Sequence, residues 1–183
     1  MMIRLITAVL IAFSLSGCRP DAGVTAGTPL QVKGLNVVLP AGWKVVPPAS
    51  QMRLAQAAIE GPGGPAELAV FHFGAGQGGD IEANVQRWLG QIAPRPGSEP
   101  QRKVFEANDL RVTWVDAEGT LQAGQMGVGP AAAQTDARLL GAVVEGPGGP
   151  WFFKATGPDA TLGPQRIAFL AMLQGATVAA PAP

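Results

Sequence analysis

Apolar and polar positions alternate with a period that changes several times along the chain, and each change marks an element. From Ala66 to Ile92 the sequence reads AELAVFHF, then GAGQGGD, then IEANVQRWLGQI. Those pieces predict a strand, a glycine-rich turn and an amphipathic helix. Val70, Phe71 and Phe73 are good β formers. Ile81, Val85, Trp88, Leu89 and Ile92 lie on one face of a 3.6-residue period, with Glu82, Gln86 and Arg87 over much of the rest. Asp80 is placed to cap the helix, Glu82 suits its positive end, and Pro94 and Pro96 would stop it. Trp88 is the candidate for the centre of the core.

Around this unit the pattern predicts strands at Leu35–Leu39, Trp43–Val46 and Met52–Ile59. The last is joined to Ala66–Phe73 through the turn EGPGGP. Lys103–Glu106 and Leu110–Ala117 flank the turn residues Asn108-Asp109. In the second of these strands Leu110, Val112, Trp114 and Asp116 share one side. Ala137–Val144 and Trp151–Thr156 flank a second EGPGGP. A closing helix spans Asp159–Gly175, with Ile167, Leu170, Ala171 and Gln174 as its stripe. Gly119–Thr135 is a Gly/Ala/Gln-rich loop, long enough to be mobile or functional. The order of elements predicts an α+β fold, a mostly antiparallel sheet flanked by helices. Each EGPGGP lies between two strands, and each hairpin is followed by a helix. Either the units descend from a duplication or one tight turn was solved twice; the unlike flanks favour the second.

Residues 32–175 read as one domain and residues 176–183 as a frayed tail. The 13 basic and 13 acidic residues balance, and no long basic run argues for nucleic acid as a partner. The opening MMIRLITAVLIAFSLSGC changes the picture most. A basic residue, Arg4, precedes an apolar run that is too short to span a membrane. Leu15-Ser16-Gly17-Cys18 resembles a bacterial lipobox. The resemblance implies removal of residues 1–17 and lipidation of Cys18, the only cysteine, so the membrane becomes a partner through the lipid. Residues 18–31, poor in large apolar side chains, then read as the lipidated cysteine and a flexible tether. Arg19, rather than aspartate, after the cysteine favours the outer membrane, facing the periplasm, over the inner. The mature chain would carry 12 basic and 13 acidic residues.

Candidate chemistry is sparse. Gly74-Ala75-Gly76-Gln77-Gly78-Gly79 matches GxGxxG and stands between a strand and a helix. The acid a dinucleotide site needs falls at Glu99 in a proline-rich loop, and an exported protein has no ready nicotinamide pool, so no cofactor is expected. The same residues, Gly76, Gly78 and Gly79, remain a candidate anion-binding turn at the helix N-terminus. His72, the only histidine, has no metal-ligating neighbours in sequence, and no metal is expected. No GxSxG elbow is present and no catalytic residue is assigned. Glu60, Glu67, Glu106, Asp116 and Glu118 could meet in space, which keeps open an envelope enzyme using carboxylates on the sheet. Arg53, Asn84, Arg87 and Trp88 are the candidate binding groove; Asn84 and Arg87, three apart, share a helix edge beside Trp88. The alternative is that these polar groups cap strands or cover the sheet edge with their stems.

The runs SQMRLAQ (Ser50–Gln56) and AVFHFGAGQGGDIEANVQRW (Ala69–Trp88) resemble an uncharacterised group of exported bacterial lipoproteins with a GQGG turn and an N-x-x-RW helix. The order of elements also resembles the PsbP-like fold, an α/β/α sandwich shared with the Mog and DcrB proteins. PsbP-like proteins are mostly non-catalytic accessory or assembly factors. The resemblance therefore implies a non-enzymatic domain that serves an envelope protein or a small ligand as partner.

Overall fold

The computed structural model describes residues 27–124 and 132–179. Cys18, the signal segment, most of the tether and the middle of the Gly119–Thr135 loop lie outside the described residues. Among those described, no helix is long and apolar enough to cross a membrane.

In chain order the strands and helices are β1 (Thr28–Val32), β2 (Leu35–Leu39), β3 (Trp43–Val46), β4 (Ala55–Ile59), β5 (Ala66–His72), α1 (Ile81–Leu89), β6 (Ile92–Pro94), β7 (Gln101–Ala107), β8 (Leu110–Leu121), β9 (Gln134–Glu145), β10 (Trp151–Pro158), α2 (Asp159–Leu162), α3 (Arg166–Gln174) and β11 (Thr177–Val178). The main sheet runs β3-β4-β5-β10-β9-β8. β6 and β7 share the outer edge of β8, and a small sheet runs β1-β2-β11. Every pairing is antiparallel. The protein is therefore an α+β fold, a mostly antiparallel sheet with helices on both faces.

Alternation along the strands separates two cores. On one face Trp151, Phe153, Leu140 and Val112 pack against the small sheet and against Leu162, Phe169, Met172 and Leu173 of α2 and α3. The Trp151 indole N–H donates to the Val32 carbonyl at 2.9 Å and ties the small sheet to the large one. On the other face α1 lays Val85 and Trp88 on Val115, Leu139, Val143 and Phe152. Trp88 is thus the centre of the smaller core only, which corrects the expectation that it anchors the whole; the larger core lies across the sheet.

The boundaries of the domain move outward at both ends. The tether expected over residues 18–31 already forms β1 from Thr28, because Lys33 (φ 47°) and Gly34 (φ 84°) make a two-residue turn that folds β1 onto β2. The tail expected over residues 176–183 starts with the fully buried Ala176 and pairs Thr177 and Val178 with β2. Asn108, in the β7–β8 turn, donates to the Ala176 carbonyl at 2.9 Å and holds this end in place.

Three local expectations also change. The segment Met52–Ile59 is a strand only from Ala55; a turn in which Arg53 N–H donates to the Ser50 carbonyl precedes it. Gly90, not Pro94, ends α1, and Ile92 keeps its place in the core as the start of β6. The closing helix is broken by a 3-10 turn at Gly163–Gln165. The expected stripe of Ile167, Leu170, Ala171 and Gln174 lies wholly within α3, which turns a different stripe to the core. Phe169, Met172 and Leu173 are buried while Ile167 is 82% exposed.

The repeated EGPGGP closes a β-turn at each site, but the two turns differ, with a positive φ at Gly148 (86°) and none at the equivalent Gly63. Gly64 N–H donates to Gly61 and Gly149 N–H to Gly146 at equivalent places. A two-fold axis exchanging the antiparallel neighbours β5 and β10 would put the helix after each on the same face. α1 and α2–α3 lie on opposite faces.

Candidate functional site

Side by side, β5 and β10 build the floor of a cavity of about 190 Å³ on the α1 face. Three cross-strand rows make it: Phe71 opposite Phe152, Ala69 opposite Lys154, and Glu67 opposite Thr156. The middle row continues from Lys154 to Gly141 of β9. A Cβ on Gly141 would stand 2.7 Å from the Trp88 ring and 2.8 Å from Val115, so the glycine is the seat of the indole. Trp88 also meets Phe152 edge-to-face at 6.3 Å.

The helix supplies one wall. Asn84, Arg87 and Trp88 share one helical stripe, Gln91 follows just past the Gly90 cap, and all four line the cavity. Asp80 accepts from Ala83 N–H at 2.9 Å, as the sequence predicts for an N-cap. Asn84 donates to the Gly78 and Asp80 carbonyls at 2.8 and 2.9 Å, and its own oxygen accepts from Arg87 at 2.5 Å. The asparagine therefore joins the glycine turn to the helix and orients the guanidinium. The opposite wall is the turn before β4, which brings in Met52 and Arg53. Arg53 bonds Gln56 at 2.8 Å and Glu67 at 3.0 Å, and Gln56 bonds the same Glu67 oxygen at 3.2 Å.

All four groove residues expected from the sequence, Arg53, Asn84, Arg87 and Trp88, thus meet at one cavity. Sequence reasoning missed Gln91, Phe152 and Lys154, and named Glu67 only among the carboxylates that could meet. The signal for Lys154 was its place as the one charge in WFFKATGP, a strand with both faces apolar. Lys154 Nζ donates to the Gln91 side-chain oxygen. Burial, reinforced by Arg87 and Arg53 and opposed by Glu67, lowers its pKa from 10.5 to about 8. Among the described residues neither Lys154 nor Arg87 is paired with a carboxylate.

The glycine turn has backbone reasons for its composition. Gly76, Gly78 and Gly79 have φ of 70°, 88° and 79°, and a Cβ on Gly78 would stand 2.8 Å from Phe152. The Asp80 carboxylate already occupies the helix end at Ala83 N–H, and the Gly78 carbonyl points to Asn84. What the turn does in this fold is aim α1. His72 lies on the opposite face, stacked on Trp151 at 4.8 Å with Nδ1 3.1 Å from the Pro150 carbonyl oxygen.

Of the five carboxylates that could have met, only Asp116 and Glu118 come together. They join Asp159 around the buried Arg138, which donates to Asp116 at 2.5 Å, to Asp159 at 2.6 Å and to Glu118. Arg166 also donates to Asp116, and Ser98 to Glu118 at 2.7 Å. Among the described residues no three His, Cys, Asp or Glu side chains are grouped to hold a metal ion.

No family model matches the chain, and no curated protein is similar to it in sequence. The solved structures similar to it include a cyanobacterial PsbP from Synechocystis sp. PCC 6803, at 10% identity over 89% of this chain and 98% of that one, with a TM-score of 0.49. A protein of unknown function from Pseudomonas aeruginosa is similar at 16% identity over 86% and 99% of the two chains, with a TM-score of 0.44. At such identities the likeness is one of fold and says nothing of a ligand.

Proposed function

We propose that this chain is a lipid-anchored protein of the bacterial envelope, attached through Cys18 to the periplasmic side of the outer membrane, whose domain is a non-enzymatic binding module. Its ligand site is the cavity walled by Trp88. The observation that carries this reading is the convergence of Arg53, Arg87 and Lys154 on an aromatic floor of Phe71 and Phe152. A concave apolar site with a few placed polar groups is the usual form of a small-molecule site. Of the carboxylates an enzyme could use, Asp116 and Glu118 are bound to Arg138, and Glu67, at the cavity, is bound to Arg53.

Two measurements test the reading. Replacing residues 1–18 with a secretory signal that is cleaved without lipidation should move the protein from the membrane fraction to the soluble periplasm; an unchanged distribution overturns the anchor. Native mass spectrometry of the full-length protein extracted in mild detergent should show a small molecule on the wild type and none on Ala69→Phe, which fills the floor. Bare protein in both cases counts against the binding module.

A further inference from the structure

The cavity is unbalanced in charge. Among the described residues Arg53, Arg87 and Lys154 line it with a single carboxylate, Glu67, which is bonded to Arg53 and Gln56. Two cations are therefore left with neutral partners, Arg87 with Asn84 and Lys154 with Gln91. Arg87 is exposed, but Lys154 is half-buried, and a cation withdrawn from water without a counter-charge is costly; an incoming anion relieves that cost. Beside these cations the surface is apolar. Phe71 and Phe152 form the neighbouring row of the floor, Trp88 stands over Gly141, and the small Ala69 leaves space on the other side of Lys154. Met52 and Phe73, 59% and 46% exposed, line the same cavity and give it an apolar mouth.

We infer that the ligand of this cavity is a small organic acid, its acid group held by Lys154 and Arg87 and its apolar body laid on Phe71, Phe152 and Trp88. The inference rests on the binding reading above and names the ligand class for that same site. Size narrows the class. A cavity of roughly 150 Å³ accommodates benzene. About 190 Å³ therefore fits an aromatic ring or short branched chain with one carboxylate, and not a nucleotide or a long acyl chain. Inorganic phosphate would meet the cations but leave the aromatic floor uncovered.

Lys154 gives the site a pH dependence. The charged groups facing it are Arg87 from α1, Glu67 from β5 and Arg53 from the turn before β4, with neutral Gln91 beside it; β9 brings only Gly141. Its pKa of about 8 means that the free site loses a positive charge near that pH. Anion affinity should fall as pH rises beyond 8.

The test is calorimetric titration of the full-length protein in mild detergent with benzoate, phenylacetate and isovalerate. The corresponding alcohols and inorganic phosphate serve as controls, all at pH 7. At least one acid should bind, at least tenfold more tightly than its alcohol and than phosphate. Lys154→Met should weaken that acid at least tenfold and leave its alcohol unchanged; Arg87→Met serves the same purpose if Lys154→Met does not fold. Alcohols binding as well as acids would overturn the inference and leave the binding module standing. Phosphate binding as well as the acids would overturn the apolar body. If neither acids nor alcohols bind, the inference fails together with the reading it rests on.

Discussion

On one face of the main sheet Arg138 is surrounded by Asp116, Glu118 and Asp159, while on the other Lys154 is near Arg53 and Arg87 with only Glu67 as a counter-charge. Both clusters lie against buried apolar cores, and both contain a cation on a central strand. In the first, every arginine nitrogen has a carboxylate oxygen, and the carboxylates come from β8 and α2. Burial pulls the Arg138 pKa down, and the bonds to Asp159 and Asp116 more than offset it, so the group is held above its ordinary value. In the second, the amide oxygens of Asn84 and Gln91 stand where carboxylates would be. Polarity inside a fold does not mark a site. An imbalance between cations and anions beside open volume does, because the structure itself leaves something for a ligand to satisfy.

The largest effect should come from breaking the balanced cluster. Arg138→Met leaves Asp116 buried without its main partner, and breaking a buried ion pair from one side costs about 3–5 kcal/mol. Urea denaturation should show that loss, and adding Asp116→Asn should return a good part of it. A loss below about 1 kcal/mol, the size of a surface pair, would mean that the cluster does not pin α2 to the sheet. The contrast with the cavity would then dissolve.

The same contrast explains what could be read in the sequence. Asn84, Arg87 and Trp88 were legible because helical spacing puts them on one face whatever the rest of the chain does. The Asp80 cap and the Asn108-Asp109 turn were legible for the same reason: their chemistry is local. Glu67 and Lys154 were not, since only the pairing of β5 with β10 makes them neighbours, and register is a tertiary fact. Asp116 did fall on the apolar side of its strand, which is a signal that a cation must come to it. That the cation is Arg138 follows from the β8–β9 register, which sets Glu118 opposite it. The strands β1 and β11 were hidden because TPLQV and TV become strands only by flanking β2. Phe169 and Met172 escaped because Arg166–Gln174 carries apolar residues on two stripes at helical spacing, and the one that includes Ile167 faces outward.

A second, smaller effect tests the wall of the cavity. Gly141→Ala puts a methyl group 2.7 Å from the Trp88 ring with Val115 at 2.8 Å on the other side. Overpacking of this kind costs about 1–3 kcal/mol. Thermal melts should show the loss, and Trp88→Leu in the Gly141→Ala background should cost less than Trp88→Leu alone, because the smaller side chain makes room for the methyl. Strict additivity would show that the indole is not seated on Gly141.

The smallest effect is the one that separates the two cations most directly. Lys154 has a folded pKa of about 8 against an ordinary 10.5. Between those values the unfolded chain holds more protons at this site than the folded one, so stability rises with pH across that window. The unfavourable contribution of the buried ammonium is fully present below about pH 8 and is relieved above it. After allowance for its partial exposure the rise is on the order of 1 kcal/mol. It should appear as a higher urea midpoint at pH 10 than at pH 7.5, and the difference between those midpoints should be smaller in Lys154→Met. An equal rise in the variant would assign the effect to other groups. Adding an acid that binds the cavity should flatten the wild-type rise, since a bound carboxylate restores the proton to Lys154. Arg138 contributes nothing in this range, because its carboxylates keep it charged throughout.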